Sequence, residues 1–313
     1  MKRRLVLTRF ILEVFTVIDG FIRYPKIYRL GHEKNRGIFE RGIVYVTEKV
    51  DGANFRFMND GGRLRYGSRR RELTGVDDVG QFRRAVEKVL EFEPGDLHEG
   101  WVYFVEYMIP HTIQYDWNRT PLFLGIDIWN GEKWLSYDEA EKEFARLGIE
   151  IVPLVDVRDV SEIDEHYLDK VIPKSKYYNG EAEGVVFKNY DLQIFAKLVS
   201  ERFKERNEKV FGKSKKKARQ EGCEAYLLEK YVPPRRVEKV IQALVDEGYR
   251  LSMELMTVLP RRVLEDVIEE EGAEIFRENC TVDFRKFRKL ISRRCYNVLQ
   301  RMLAVQSVID KGA

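Results

Sequence analysis

The pattern of hydrophobic and polar positions changes its period along the chain, near residue 200. Between about residues 43 and 199, apolar residues alternate with polar ones or form short β-branched and aromatic runs, which is typical of β-strands. Further along, apolar residues recur every three or four positions, which is typical of amphipathic helices. The pattern therefore predicts an α+β core followed by an all-helical region.

Two β-hairpins are predicted in the strand-rich part. Residues 54–58 and 64–68 flank an Asn-Asp-Gly-Gly turn, and residues 185–188 and 192–199 flank an Asn-Tyr-Asp turn. Turn residues of this kind between alternating apolar segments favour hairpins.

Further strands and two helices are predicted between these hairpins. Residues 101–108 and 122–129 are apolar enough to be strands, and residues 82–90 carry apolar side chains at helical spacing. Ser136 and Glu139 form a predicted capping box, which marks the start of a second helix.

Three apolar stripes at helical spacing define the C-terminal region, so we expect three amphipathic helices there. The stripes are Val237, Val240, Ile241, Leu244 and Val245; Val263, Leu264, Val267 and Ile268; and Phe284, Phe287, Ile291, Cys295, Val298 and Met302. The predicted domains are a nucleotidyltransferase domain at 1–205, a basic linker at 206–222 and a helical domain at 223–313. We expect residues 5–18 to form an amphipathic element rather than a signal peptide, because charged residues interrupt them.

Charge and cysteine content narrow the function classes. Net charge is only +3, because 55 basic residues nearly cancel 52 acidic ones, so a nucleic acid would have to bind a local concentration of positive charge. The basic run at 213–219 is one candidate, with a solvated loop as the alternative. The three cysteines are far apart and odd in number, so we expect no disulfide framework and no zinc site, and a cytoplasmic, intracellular protein.

The segment Glu48-Lys49-Val50-Asp51-Gly52-Ala53-Asn54 carries the most chemistry. A predicted strand ends on a lysine here, and a turn of an acidic residue and glycine follows at once. A strand end can aim a side chain rigidly into a cleft, and Gly52 allows close approach of a ligand to the backbone. A lysine before such a turn is common in proteins, so the other charged segments decide whether Lys49 is a catalytic candidate.

Charged residues also stand in or beside the apolar strands that follow. Three arginines, at 69–71, come after the strand paired with the lysine segment, and the single charges are Glu106, Asp127, Glu183 and Lys197. A charge in a buried strand is costly unless it is paired or binds a ligand. These residues are therefore candidates for one shared site.

In this order the segments resemble motifs I, III, IIIa, IV and V of the covalent nucleotidyltransferases, a superfamily of DNA ligases, RNA ligases and mRNA capping enzymes. The resemblance covers about residues 48–203, half of the chain. The ordered set is specific, although each segment alone is not. It implies a nucleotidyltransferase core of ATP-grasp-like antiparallel sheets.

Within that superfamily the details resemble the RNA ligase 2-like enzymes. Asn54 stands where DNA ligases and capping enzymes usually carry arginine, Glu48 directly precedes the lysine, and residues 197–203 resemble that family's motif V. The helical C-terminal region replaces the OB-fold that normally follows in DNA ligases and capping enzymes. Two positions depart from the pattern: Val199 replaces the second motif V lysine of some relatives, and Ile126 replaces the aromatic that commonly precedes the motif IIIa aspartate.

The resemblance implies an ATP-dependent RNA ligase with Lys49 as its nucleophile. It implies Mg²⁺ or Mn²⁺, with Glu183 as the candidate metal ligand, and RNA 3′-hydroxyl and 5′-phosphate ends as partners. The implied nucleotide-binding residues are Glu48, Asp51, Gly52, Asn54, Arg69, Glu106, Phe123, Ile126, Glu183 and Lys197. Arg69 and Lys197 would contact phosphates, Glu106 the ribose, and Phe123 is the candidate to stack on the base. Lys188 is a weaker phosphate candidate, predicted to be exposed in its hairpin.

Other functions stay open at this point. The chain could be a DNA ligase or capping-type enzyme with an unusual C-terminal region, or an RNA-binding relative without catalysis. The RNA could be a nicked duplex, a single strand, a broken tRNA or an RNA–DNA hybrid. The helical domain could select among these substrates or form a homodimer.

Overall fold

The computed structural model describes residues 20–75, 79–109, 113, 115–200, 222–278 and 281–312. These residues form two compact units, one containing residues up to 27 and 35–198, the other containing 28–34 and the residues from 199 onward. The predicted N-terminal element at 5–18, the basic run at 213–219 and all but the last residue of the predicted linker lie outside the described residues.

The first unit contains a four-stranded sheet, with the strand order β10-β9-β1-β8. Its strands are β1 (Ile43–Glu48), β8 (Leu154–Asp159), β9 (Gly184–Asn189) and β10 (Ile194–Val199). β1 is central and pairs antiparallel with β8 and β9. The hairpin predicted at 185–199 is confirmed as β9 and β10, whereas the half-exposed β8 was not predicted, because its polar residues hide the strand pattern.

A six-stranded sheet in the same unit has the order β4-β3-β2-β5-β6-β7. Its strands are β2 (Ala53–Asp60), β3 (Arg63–Ser68), β4 (Glu72–Leu73), β5 (Val102–Tyr107), β6 (Phe123–Trp129) and β7 (Glu150–Ile151). All pairs are antiparallel except β6 with β7. The hairpin predicted at 54–68 and the strands predicted at 101–108 and 122–129 are confirmed.

The two faces of the six-stranded sheet carry different side chains, because residues alternate along each strand. On one face, aromatic rings such as Phe55, Phe57 and Tyr103 stack in the core. On the other face, Met58 and Phe104 pack with Phe195 of β10, and this cluster joins the two sheets. The second face therefore lines the space between the sheets.

Three α-helices complete the described part of the first unit: α1 (Arg83–Val89), α2 (Tyr137–Arg146) and α3 (Glu165–Lys170). The predicted capping box is confirmed, since the Ser136 hydroxyl accepts the Glu139 N–H and the Glu139 carboxylate accepts the Ser136 N–H. A Cβ on Gly125 of β6 would lie 2.4 Å from the Phe144 ring of α2. Glycine at position 125 therefore allows α2 to pack directly against the sheet.

The second unit consists of helices α4 (Cys223–Tyr231), α5 (Pro234–Asp246), α6 (Leu259–Arg277) and α7 (Phe284–Gly312). The predicted stripes supply its core, and Val237, Ile241, Val263, Val267, Phe287, Ile291 and Cys295 are all buried. Ile268 departs from its stripe and is 52% exposed. The Tyr28 hydroxyl donates to Glu269 at 2.6 Å, which attaches the 28–34 segment to α6.

The cysteines differ in state within the second unit. Cys295 is a free, buried thiol, whereas Cys223 at the start of α4 is disulfide-bonded. The disulfide at Cys223 was not predicted from the sequence. In the part of the chain that the structure describes, no helix combines the length and apolar character needed to cross a membrane.

Candidate active site

The site lies where the chain leaves the four-stranded sheet and enters the six-stranded one. β1 ends at Glu48, and Lys49 follows, its backbone N–H bound to the Gly184 carbonyl at 2.9 Å. That bond fixes Lys49 beside the start of β9. The Lys49 Nζ donates to Glu183 Oε2 at 2.7 Å, with 21% of the lysine side chain and 4% of the glutamate exposed. The structure thus joins two predicted site residues that are 134 positions apart.

Carboxylates control the charge of Lys49. Burial pulls the pKa of Lys49 down, but the nearby negative charges of Glu183, Asp51 and Glu106 outweigh it, so its pKa is raised. In this state the amine is protonated at neutral pH and is not a nucleophile. A group that neutralises the carboxylates is needed to release the proton.

The turn after Lys49 is held by its backbone N–H groups. The Gly52 N–H donates to Glu106 Oε1 at 3.0 Å, and the Asp51 N–H donates to the Tyr115 hydroxyl oxygen at 2.8 Å. A Cβ on Gly52 would lie 2.5 Å from the Tyr107 carbonyl oxygen and 2.9 Å from Glu106 Cγ. Only glycine allows the turn to pass this close to β5.

Glu106 and Asn54 lie side by side on the sheet face between the two sheets. They are directly paired across β2 and β5, so both side chains point to the same side. Burial raises the pKa of Glu106 to about 7. Asn54 Oδ1 is buried and has no hydrogen-bond partner among the described residues. An unpaired buried acceptor beside a poorly solvated carboxyl is an arrangement that a polar ligand would complete.

Arg69 is held at both its backbone and its guanidinium. Arg56 Nη1 donates to the Arg69 carbonyl at 3.1 Å, and Arg69 Nε donates to the Tyr24 carbonyl at 3.1 Å. The Arg56 guanidinium lies 4.4 Å from the centre of the Phe21 ring, and burial lowers the pKa of Arg56 to about 10. The sequence pointed to Arg69 but not to Arg56, Tyr24 or Phe21, which belong to none of the motifs.

Glu48 and Lys197 differ in setting. The buried Glu48 carboxylate accepts the Lys176 N–H at 3.2 Å and a hydrogen bond from Ser175, so it anchors the loop before β9. Burial raises the pKa of Glu48. Lys197 is half-buried on β10 at the edge of the four-stranded sheet.

Lys188 corrects one expectation, since it is not exposed. Its side chain is 1% exposed, and its Nζ lies 2.8 Å from Asp127 Oδ2 and 2.8 Å from the Ile126 carbonyl oxygen. Tyr24 and Tyr190 donate their hydroxyls to the same Asp127 carboxylate. The amine is therefore committed to a buried ion pair and does not serve as a phosphate contact.

Phe123 corrects a second expectation. It pairs with Tyr107, whereas Glu106 pairs with Leu124, so Phe123 points away from the face that carries Glu106. Its ring stacks on Phe55 in the core, with ring centres 5.9 Å apart. Phe123 is therefore not placed to stack on a base. Ile126 lies at a bulge in β6 and packs with the cluster between the sheets.

No group of three or more His, Cys, Asp or Glu side chains suited to a metal ion occurs among the described residues. A divalent ion would therefore take most of its ligands from phosphates and water, which is the usual habit of Mg²⁺. Glu183 and the carboxylates near Lys49 fit such a partly protein-bound ion, because they are clustered, acidic and only partly neutralised by the lysine.

The chain is similar to solved structures of an RNA ligase. A search of the curated proteins finds no match. Among solved structures, the RNA ligase of Naegleria gruberi with PPi is 20% identical, with a TM-score of 0.46, and the match covers 60% of this chain and 59% of that chain. A variant of that ligase with ATP and Mn is 22% identical, with a TM-score of 0.46 and coverage of 59% and 58%.

The chain spans about three fifths of the length of those structures. A family model described as RNA ligase matches residues 42–206, which is more than half of the chain and includes both sheets and every motif of the site. The chain therefore belongs to the RNA ligase family.

Proposed function

We propose that this protein is an ATP-dependent RNA ligase that carries AMP on Lys49 and seals RNA 3′-hydroxyl and 5′-phosphate ends. The contact between Lys49 Nζ and Glu183 at 2.7 Å carries the proposal. It places the Lys49 amine among carboxylates, at the start of the turn that passes close to β5. The family match over residues 42–206 supports it independently.

In the first step the Lys49 amine attacks the α-phosphorus of ATP. The N–P bond forms, the bond from the α-phosphorus to the bridging oxygen breaks, and pyrophosphate leaves. The amine must first lose its proton to solvent, which the carboxylates around it oppose. A divalent cation held partly by Glu183 would supply positive charge that offsets these carboxylates and the phosphates, and would thereby lower the pKa of the amine.

The other proposed residues bind and orient the nucleotide. Glu106 and Asn54 present one carboxyl and one free acceptor toward the ribose, and Arg69 presents a guanidinium suited to phosphate. Lys197 would add positive charge near the phosphates. Asp51 and Gly52 fix the turn, and Glu48 fixes the loop that ends at Glu183.

Two transfers complete the reaction. An oxygen of the RNA 5′-phosphate attacks the α-phosphorus of the AMP on Lys49, the N–P bond breaks, and the amine is restored. The RNA 3′-hydroxyl then attacks the activated 5′-phosphate, loses its proton to solvent, and AMP leaves. Each step is a displacement at phosphorus, so catalysis depends on positioning and on neutralising charge.

ATP and a divalent metal are proposed as substrate and cofactor for a further reason. Structures of the Naegleria gruberi RNA ligase carry ATP and Mn, and another carries AMP and Mn. Mg²⁺ or Mn²⁺ would suit the oxygen-only surroundings of Glu183, because both ions prefer carboxylate and water ligands.

The test is to incubate the protein with ATP labelled at the α-phosphate and Mg²⁺, without RNA, after pyrophosphate treatment to remove any bound AMP. We expect acid-labile label on the wild type and on Lys176→Ala, an exposed lysine nearby, but none on Lys49→Ala. Unlabelled wild type would refute the proposal. Label from GTP instead of ATP would favour a capping-type enzyme.

The substrate ends are tested with the labelled protein. Nicked duplex RNA, single-stranded RNA and nicked DNA are offered separately, and the sealed product is measured. Sealing of either RNA supports the proposal and identifies its substrate, whereas sealing of DNA alone would identify a DNA ligase. Sedimentation of the same protein establishes whether it forms a homodimer.

A further inference from the structure

The first 18 of the 29 residues of helix α7 hold an unusual concentration of positive charge. From Phe284 to Arg301 it contains seven Lys or Arg residues and no Asp or Glu: Arg285, Lys286, Arg288, Lys289, Arg293, Arg294 and Arg301. The whole chain has a net charge of only +3. Acidic residues must therefore offset the basic ones over the rest of the chain, whereas this part of α7 carries positive charge alone.

Three of these positive charges fall on one side of the helix. Residues four positions apart lie one above another, so Arg285, Lys289 and Arg293 form a line about 12 Å long. All three are exposed. The opposite side carries Phe287 and Ile291, which are buried in the core of the helical unit. The line of arginine and lysine therefore faces away from the protein.

These three side chains have no acidic partner within the described residues. Nearby basic residues behave differently: Arg294 donates to Glu229, and Arg261 on α6 pairs with Glu265 at 2.8 Å. Like charges four positions apart repel each other and destabilise a helix slightly. An unpaired line of them is thus costly to keep, and a polyanion would relieve the repulsion.

An aromatic side chain continues the same line. Tyr296 lies three positions after Arg293, is 42% exposed, and receives a hydrogen bond on its hydroxyl from Gln300 at 2.7 Å. An exposed ring beside a row of cations is the combination that single-stranded nucleic acids bind, through base stacking and phosphate contacts.

We propose that the basic face of α7, formed by Arg285, Lys289, Arg293 and Tyr296, binds the sugar-phosphate backbone of the RNA whose ends are joined. This proposal rests on the proposed RNA ligase function and adds to it a binding surface outside the nucleotidyltransferase core. The occupant is an RNA because the face offers charge and stacking together. A protein partner with an acidic surface would use the charge alone.

The test measures affinity for a 3′-fluorescein, 5′-phosphorylated single-stranded RNA by anisotropy, across a series of salt concentrations. The variant is Arg285→Gln/Lys289→Gln/Arg293→Gln in the full chain. Each phosphate contact contributes about 0.7 to the slope of log affinity against log salt for single strands. We expect the slope to fall by about 2 and the affinity at low salt to fall at least tenfold.

A matched control removes the same charge from other exposed positions of the helical unit, as Arg250→Gln/Arg261→Gln/Arg277→Gln. It should keep the wild-type slope. Arg285→Lys/Arg293→Lys should also bind like wild type, because backbone contacts need the charge rather than the guanidinium. Tyr296→Ala should weaken binding without changing the slope, since stacking releases no counterions. Circular dichroism confirms that each variant is folded.

Labelling of Lys49 from ATP without RNA separates this proposal from the proposed function. All α7 variants should label like wild type, because that step involves no RNA. Normal labelling with unchanged RNA affinity and slope in the triple variant overturns the α7 proposal alone. Loss of a dimer in sedimentation with unchanged RNA affinity would also overturn it, since the face would then join two copies.

Discussion

Lys188 and Asp127 form a buried ion pair between the two sheets, with Nζ and Oδ2 2.8 Å apart and both side chains almost fully inaccessible. The pair connects β9 to β6, and its carboxylate also accepts the hydroxyls of Tyr24 and Tyr190. Burial lowers the pKa of Lys188, and Asp127 partly offsets that effect. Every oxygen of the carboxylate is used, so this contact fixes how the sheets pack.

Removing one member of this pair should be far more damaging than removing an exposed pair. Lys188→Met leaves the Asp127 charge buried, and we expect it to lower the free energy of unfolding by about 3–5 kcal/mol. Lys176→Met removes an exposed lysine paired with Glu150 and should cost less than about 1 kcal/mol. Urea unfolding followed by tryptophan fluorescence measures both, since all four tryptophans lie in the first unit. Equal losses would contradict the buried-pair argument.

At position 52 the structure leaves room for no residue other than glycine. A Cβ there would meet the Tyr107 carbonyl oxygen at 2.5 Å, and the turn would have to move away from Glu106. We expect Gly52→Ala to reduce Lys49 labelling from ATP by at least tenfold, since a misplacement of about 1 Å can cost 100-fold in rate. Gly95→Ala is the control, because nothing lies within 4 Å of a Cβ at Gly95. Normal labelling of Gly52→Ala would show that the turn tolerates movement.

The sequence predicts the fold well and points to the segment around which the candidate site is built, for physical reasons that apply locally. Turn chemistry and alternation define the hairpins, and a lysine before a glycine turn predicts Lys49 and Gly52. The same alternation places Phe123 and Leu124 on opposite faces of the sheet, but it does not show which of the two faces the site. Which face meets the site depends on pairing with Glu106, and the register is a long-range property.

Lys188 and Tyr115 show two further limits of the sequence. A lone lysine in an apolar strand predicts a partner, but only the three-dimensional structure shows that Asp127, 61 positions away, is that partner. Tyr115 reaches the Asp51 N–H from outside every motif and carries no local signal. The sequence therefore does not predict the contacts that isolated polar side chains make between elements far apart in the chain.

Glu106 should make stability depend on pH. Burial raises its pKa to about 7, whereas a glutamate in the unfolded chain titrates near ~4.3. Between these values the folded protein binds more protons than the unfolded one, so the free energy of unfolding falls as the pH rises. Glu106→Gln removes the desolvated charge and should stabilise the protein relative to wild type at pH 8 but little at pH 4.

At about 1.4 kcal/mol per pKa unit, the relative gain should be on the order of 3–4 kcal/mol. Urea unfolding at the two pH values measures it. Glu132 is an exposed glutamate in a loop of the same unit, and Glu132→Gln is the control. Its free energy of unfolding should change between the two pH values by as much as that of the wild type. A gain that is equal at both pH values would mean that Glu106 is ionised throughout this range.

Tyr24 should link the buried ion pair to the placement of Arg69. Its hydroxyl donates to Asp127 Oδ2 at 2.5 Å, and its carbonyl accepts Arg69 Nε at 3.1 Å. Tyr24→Phe removes the hydrogen bond that holds this ring to Asp127. We therefore expect the carbonyl of residue 24 to shift, and the Arg69 guanidinium that donates to it to shift as well. If Arg69 contacts the phosphates of ATP, the KM for ATP in Lys49 labelling should rise about tenfold, which corresponds to about 1.4 kcal/mol.

Tyr190→Phe is a close control for this prediction. It removes a hydroxyl that donates to the other oxygen of the same carboxylate at 2.8 Å, but the carbonyl that accepts Arg69 Nε belongs to Tyr24. Both variants should lose a similar stability of about 1.5–3 kcal/mol, as is usual for a hydrogen bond to a charged group. Only Tyr24→Phe should raise the KM for ATP. An equal rise in both variants would mean that the buried network acts through general packing, whereas a rise in Tyr24→Phe alone would establish Tyr24 as a positioning residue for Arg69.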